Sequence, residues 1–149
     1  MKSRLIVTCT AFLLAACAAT GQPYHKEAVS KGSAQLVIYR TANGGPAPVD
    51  VNGVSQCMVH RNGHIIVNVP ANQTTVLTSH LLGGNTSYYR ATLKPGERQY
   101  VRVELNTGNS IGAALFGAAG ATAAGGGEGD FLFRQGNEPE AAATLADCQ

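Results

Sequence analysis

The stretch Val49-Asp50-Val51-Asn52-Gly53-Val54-Ser55-Gln56-Cys57-Met58-Val59-His60-Arg61-Asn62-Gly63-His64-Ile65-Ile66-Val67-Asn68-Val69-Pro70 reads as three short strands punctuated by two Asn-Gly turns. Val49 and Val51 alternate with Asp50, and Ile65, Val67 and Val69 fall on one face, the period of two that marks a half-buried strand. Asn-Gly supplies the left-handed backbone that a tight hairpin needs at its tip. Asn52-Gly53 is therefore expected to join two strands. Asn62-Gly63 is a second hairpin signal, closing as a two-residue loop or as a three-residue loop from Arg61 with a glycine bulge. Pro70 ends the third strand because it has no N–H to give to a ladder.

The same rhythm continues on both sides. Leu36-Val37-Ile38-Tyr39-Arg40 is β-branched and aromatic without alternation, as in a strand buried on both faces. Thr74 to Leu82 and Ser87 to Leu93 favour strands and are separated by Gly83-Gly84-Asn85. Lys94-Pro95-Gly96-Glu97 turns the chain into Tyr100–Leu105, where Val101, Val103 and Leu105 alternate with Tyr100, Arg102 and Glu104. Short strands at this spacing, with no amphipathic helices between them, predict a mainly β protein, an antiparallel β-sandwich or barrel, and disfavour a parallel α/β sheet. Residues 112–127 hold six Gly and seven Ala among sixteen positions, which predicts a Gly/Ala-rich insertion. Phe131-Leu132-Phe133 reads as one more strand. Glu138-Pro139-Glu140 opens a short C-terminal helix, Pro suiting a first turn and the acids its dipole.

The chain has 149 residues, enough for one domain with tails. Its first seventeen residues have a different logic. Met1–Arg4 is basic, Leu5–Leu14 is apolar but about half the length of a membrane span, and Leu14-Ala15-Ala16-Cys17 follows. This resembles the lipobox of bacterial lipoproteins. The resemblance implies cleavage after Ala16, a signal peptide over 1–16, and diacylglyceryl and acyl (palmitate-type) modification of Cys17. Several chains anchor stably where one binds marginally. Ala18 in place of Asp implies the outer membrane, on its periplasmic face. Residues 17–33 are polar and aperiodic and are expected to be a lipidated tether, with the domain at 34–149.

Loss of Lys2 and Arg4 leaves nine basic against nine acidic residues, which excludes the electrostatic footprint of a nucleic-acid binder. With Cys9 removed and Cys17 acylated, Cys57 and Cys148 remain, and an oxidising compartment predicts that they pair.

Ala34–Arg40, Val49–Gly53, Arg61-Asn62-Gly63, Val67–Pro70 and Lys94–Val101 together resemble an uncharacterised bacterial lipoprotein domain, a family of unknown function. The resemblance implies a sandwich of prealbumin or carboxypeptidase-regulatory type, with no catalytic residues to transfer.

Three constellations have spacings that chemistry could use. Gly108-Asn109-Ser110-Ile111-Gly112 matches G-x-S-x-G, but the last histidine, His80, precedes Ser110, and a nucleophile elbow needs Asp and then His after it. Cys57-x₂-His60-x₃-His64 has metal-compatible spacing, yet lacks a third ligand once Cys57 is in a disulfide, so no metal is expected. His25 and His80 read as solvated. Ala113, Gly117, Ala121, Gly125 and Gly129 recur at four-residue spacing, a small-xxx-small pattern, in a run where nearly any spacing would score. Asn85-Thr86-Ser87 is a sequon with no meaning in a bacterial lipoprotein.

These readings predict an outer-membrane-anchored periplasmic lipoprotein, not an enzyme, without cofactor. It would serve as a binding or scaffolding module with the membrane and an envelope protein as partners. The alternative is a membrane-active or oligomerising role for the Gly/Ala-rich segment.

Overall fold

The computed structural model describes residues 21–41, 45–81, 84–107 and 129–147. Within them the strands are β1 (Ser33–Arg40), β2 (Ala47–Val51), β3 (Val54–Val59), β4 (Gly63–Pro70), β5 (Thr74–Ser79), β6 (Ser87–Thr92), β7 (Arg98–Leu105), β8 (Phe131–Gln135) and β9 (Leu145–Ala146), with helix α1 (Glu138–Ala142) before β9. They build two sheets, ordered β8-β7-β1-β4-β9 and β3-β2-β5-β6. The molecule is mainly β, and the sheets face each other across one apolar core in a sandwich-like arrangement.

β1 lies at the centre of the five-stranded sheet, which explains why its sequence does not alternate. Leu36 and Ile38 point between the sheets, beside Val101 and Val103 of β7 and opposite Val49, Val51, Val59 and Leu77. Val37 and Tyr39 point the other way and are equally buried, beneath Tyr24 and Ala141. Each face of β1 therefore has its own apolar cover.

The four-stranded sheet is antiparallel throughout. The five-stranded sheet is mixed: β1 runs antiparallel to β4 but parallel to β7, and β4 runs parallel to β9. The expectation of a purely antiparallel sandwich is corrected here. A parallel pair needs a long crossover, ordinarily a helix. In this chain the whole second sheet, β2-β3 and β5-β6, supplies much of the crossover between β1 and β7.

The two Asn-Gly signals do different work. Asn52 (φ 52°) and Gly53 (φ 78°) are both left-handed and close the β2–β3 hairpin as expected. The Asn52 side chain also accepts the Val76 N–H at 2.8 Å and so ties the hairpin to β5. At the second signal Asn62 is left-handed (φ 56°), and Gly63 is already the first residue of β4. The Gly63 N–H donates to the His60 carbonyl at 3.0 Å. β3 and β4 belong to different sheets, so this turn is a corner between layers, and neither hairpin register forms.

Of the segment read as a tether, 17–33, the described part makes contacts with the body. From Gly21 onward the chain is bonded to the body at particular residues, with much of 25–32 exposed between them. The Ala146 N–H donates to the Gln22 carbonyl at 2.7 Å, Pro23 bridges Leu145, and Tyr24 is buried. Arg98 reaches the Glu27 carbonyl and Lys26 pairs with Glu138 at 2.6 Å. This strap crosses the outer face of the five-stranded sheet. A single aromatic in a polar run leaves no periodic trace, so the docking is invisible to pattern reading.

The helix begins as read. Asn137 caps it, accepting the Glu140 N–H at 2.9 Å, and Pro139 lies in its first turn. Beyond it β9 adds an edge to β4 that the sequence reading did not foresee.

Candidate functional site

Two places gather polar side chains. The first is the flank where β3 faces β4 and β9. A cavity of about 420 Å³ opens there, walled by Gln56 and Cys57 on one side and by Ile65, Val67, Ala146 and Asp147 on the other, with His64 among its lining. Both histidines of the metal-like spacing are close by, and each is turned to its own partner. His60 is held by Asp147: one carboxylate oxygen accepts its backbone N–H at 2.9 Å, and the other accepts the ring Nδ1–H at 3.1 Å. Asp147, whose side chain is almost fully buried, thereby closes the 60–63 corner.

His64 is buried and bonds Thr144 Oγ1 through Nδ1 at 2.9 Å. Thr144 Oγ1 itself donates to the Ala141 carbonyl at 2.6 Å, so the hydroxyl accepts and His64 Nδ1 carries the proton. Burial pushes the His64 imidazole below its ordinary value, opposed by the charge of Asp147. This is a neutral histidine locked into a core, its ring met edge-on by Tyr24 at 5.4 Å. Among the described residues no group of three or more His, Cys, Asp or Glu is arranged to hold a metal.

Cys57 sits half-buried against the core from β3. Cys148 and Cys17 lie outside the described residues, as do Ser110 and residues 112–127. His25 and His80 are exposed, as read. The carbonyl of Asn85, the sequon residue, accepts the Asp130 N–H at 3.1 Å.

The second place is the base of the Gly/Ala-rich insertion. The Asn106 N–H donates to the Asp130 carbonyl at 2.8 Å and Asn106 Nδ2 to the Gly129 carbonyl at 3.0 Å, so the described residues on either side of 108–128 are joined. Asp130 accepts the Leu81 N–H at 2.9 Å, and the buried Ser87 hydroxyl accepts the Phe131 N–H at 2.9 Å. Arg40, at the end of β1, is fully buried here with its guanidinium 5.9 Å from the Phe131 ring centre. Burial lowers its pKa and the charge of Glu104 works against that. Sequence reading missed Arg40, Asp147, Thr144 and Tyr24. Arg40 had a signal: the strand it closes is apolar on both faces, so any side chain at its end is carried inward.

On the outer face of the five-stranded sheet the Tyr39 hydroxyl donates to Glu140 at 2.6 Å and accepts the Asn137 N–H at 3.2 Å. Desolvation, reinforced by Glu140, pushes Tyr39 up to about 12. Arg102 joins the same carboxylate at 3.1 Å. These bonds fasten α1 to β1.

Comparison with family models, with characterised proteins and with solved structures found no match. Among the described residues no helix is long and apolar enough to cross a membrane.

Proposed function

We propose that the chain is a lipoprotein acylated at Cys17, held on the periplasmic face of the outer membrane, and that its β body is a non-enzymatic binding or scaffolding module of the envelope. The observation that carries this reading is where the body begins. Backbone pairing to β9 starts at Gln22, with Gly21 packed on Ala146. Only residues 18–20 separate Cys17 from Gly21. A lipobox this close to a folded edge suits a domain that works while held at a surface. The proposed fold type is the prealbumin or carboxypeptidase-regulatory sandwich, an assignment that rests on the turn and strand motifs.

The proposal includes a Cys57–Cys148 disulfide. It is supported by Asp147, the residue before Cys148, lining the same cavity as Cys57. Such a bridge would lock the C-terminal end across the two sheets, in the compartment where disulfides persist.

Radiolabelled palmitate fed to cells making the full chain tests the central point. Label should enter the mature protein and be lost in Cys17→Ser, and the wild type should float with the outer-membrane fraction. An unlabelled mature chain with a free amino terminus, recovered in the soluble fraction, refutes the reading.

A further inference from the structure

We infer that the flank formed by β3 and β9 is the side that lies against the lipid surface, with Val54 and Met58 in the headgroup layer. The inference rests on acylation of Cys17 and adds to it an orientation and two contact residues.

The first observation is the exit point of the anchor. Gly21 is pressed on the Ala146 backbone so closely that a Cβ on it would come within 2.1 Å of the Ala146 carbonyl oxygen. Ala146 lines the cavity whose far wall is Gln56 and Cys57 of β3. Gly21, the first described residue, therefore lies at the rim of this flank. Four backbone steps from Gly21 to Cys17 reach at most about 14 Å. With facing sheets about 10 Å apart, a Cys17 embedded at the headgroup level brings β9 and β3 to the bilayer together.

The second observation is independent of the anchor. β3 is an edge strand, and its sequence Val54-Ser55-Gln56-Cys57-Met58-Val59 holds no charge. Edge strands are ordinarily protected by charge, by Pro or by a cover. Instead Val54 is 63% exposed and Met58 51% exposed. An uncharged edge bearing two solvated apolar side chains is suited to the headgroup boundary, where water still satisfies the strand's outward N–H and C=O groups. Arg61, exposed at the adjoining corner, adds one cation for lipid phosphate. The opposite edge, β6, also exposes an aromatic, Tyr88, but pairs it with Arg90, whose guanidinium lies 6.0 Å from the ring centre. Tyr88 is three strands away, roughly 14 Å across the sheet, and would face the periplasm.

The chain has no Trp, so single Trp probes report one position each. Val54→Trp, Met58→Trp and Tyr88→Trp would be made in the full chain with its native leader, and the mature protein placed in phosphatidylethanolamine–phosphatidylglycerol vesicles carrying a doxyl quencher near the headgroup. The probes at 54 and 58 should shift to the blue and lose roughly half their emission to the quencher; the probe at 88 should do neither. Flotation and an acylated amino terminus without quenching at 54 and 58, or with equal quenching at 88, overturns this orientation and leaves the lipoprotein reading standing. A blue shift at 58 that grows with protein concentration in the absence of vesicles overturns it in favour of a second copy on β3. An unacylated chain that does not float removes both readings together.

Discussion

Tyr24→Ala is the substitution that most directly tests the docked strap. Tyr24 is 8% exposed, its ring meets His64 at 5.4 Å and Tyr100 at 6.2 Å, and its hydroxyl lies 3.1 Å from the Tyr100 hydroxyl. A buried tyrosine removes on the order of 150–200 Å² from water; at about 25 cal/mol per Å² that is roughly 4 kcal/mol. Large-to-small aromatic substitutions cost about 3–5 kcal/mol when the site does not collapse. Here the strap can peel away and let water in, which caps the loss at the free energy of docking it. The expected destabilisation is therefore about 3 kcal/mol. With a urea slope of about 1.5 kcal/mol/M the midpoint should fall by roughly 2 M. Limited proteolysis between His25 and Lys31 should at the same time be faster than in the wild type. A change under about 0.5 kcal/mol with unchanged proteolysis, the behaviour of an ordinary surface position, refutes the docking.

Three further outcomes follow from the packing. Gly136→Ala would place a Cβ 2.3 Å from the Tyr39 hydroxyl oxygen and 2.6 Å from its ring, so overpacking should cost about 1–3 kcal/mol in urea denaturation, whereas Gly45→Ala, which meets nothing within 4 Å, should be close to neutral. Because burial depresses the His64 pKa, the folded state holds fewer protons than the unfolded one below the unfolded value of about 6.5. Its stability contribution is complete above that pH and is lost as pH falls through the lower folded value. Melting temperature should drop between pH 7 and 5 in the wild type, ahead of carboxylate titration, and that early drop should be absent in His64→Gln. Reduction of a Cys57–Cys148 bridge, which would close a loop of about ninety residues, should lower stability by about 4–5 kcal/mol in the chain-entropy account; equal melting with and without reductant, and the same melting in Cys148→Ser, counts against the pairing.

Local order was readable in the residues themselves. The Asn52-Gly53 hairpin, the alternation from Val101 to Leu105, the doubly buried run from Leu36 to Tyr39 and the Asn137-capped helix with Pro139 each depend on interactions within a few residues, so pattern and turn chemistry suffice. Three features depend on elements far apart in the chain. Asn62-Gly63 carries a hairpin signature, and its use as a corner follows only from β3 and β4 joining different sheets. The parallel pairing of β1 with β7 spans more than sixty residues and has no local mark. The strap owes its position to one ring, Tyr24, fitting between His64 and Tyr100 while Gln22 takes the edge of β9. The sites divide the same way: the spacing of His60 and His64 suggested shared chemistry, but Asp147 and Thr144, more than eighty residues downstream of one and eighty of the other, give each imidazole a separate anchor. Backbone preference and hydrophobic period act along the chain and so are written in it; the partner of an edge strand or a buried ring is chosen by which surfaces remain uncovered once the sheets have packed, and that is known only in three dimensions.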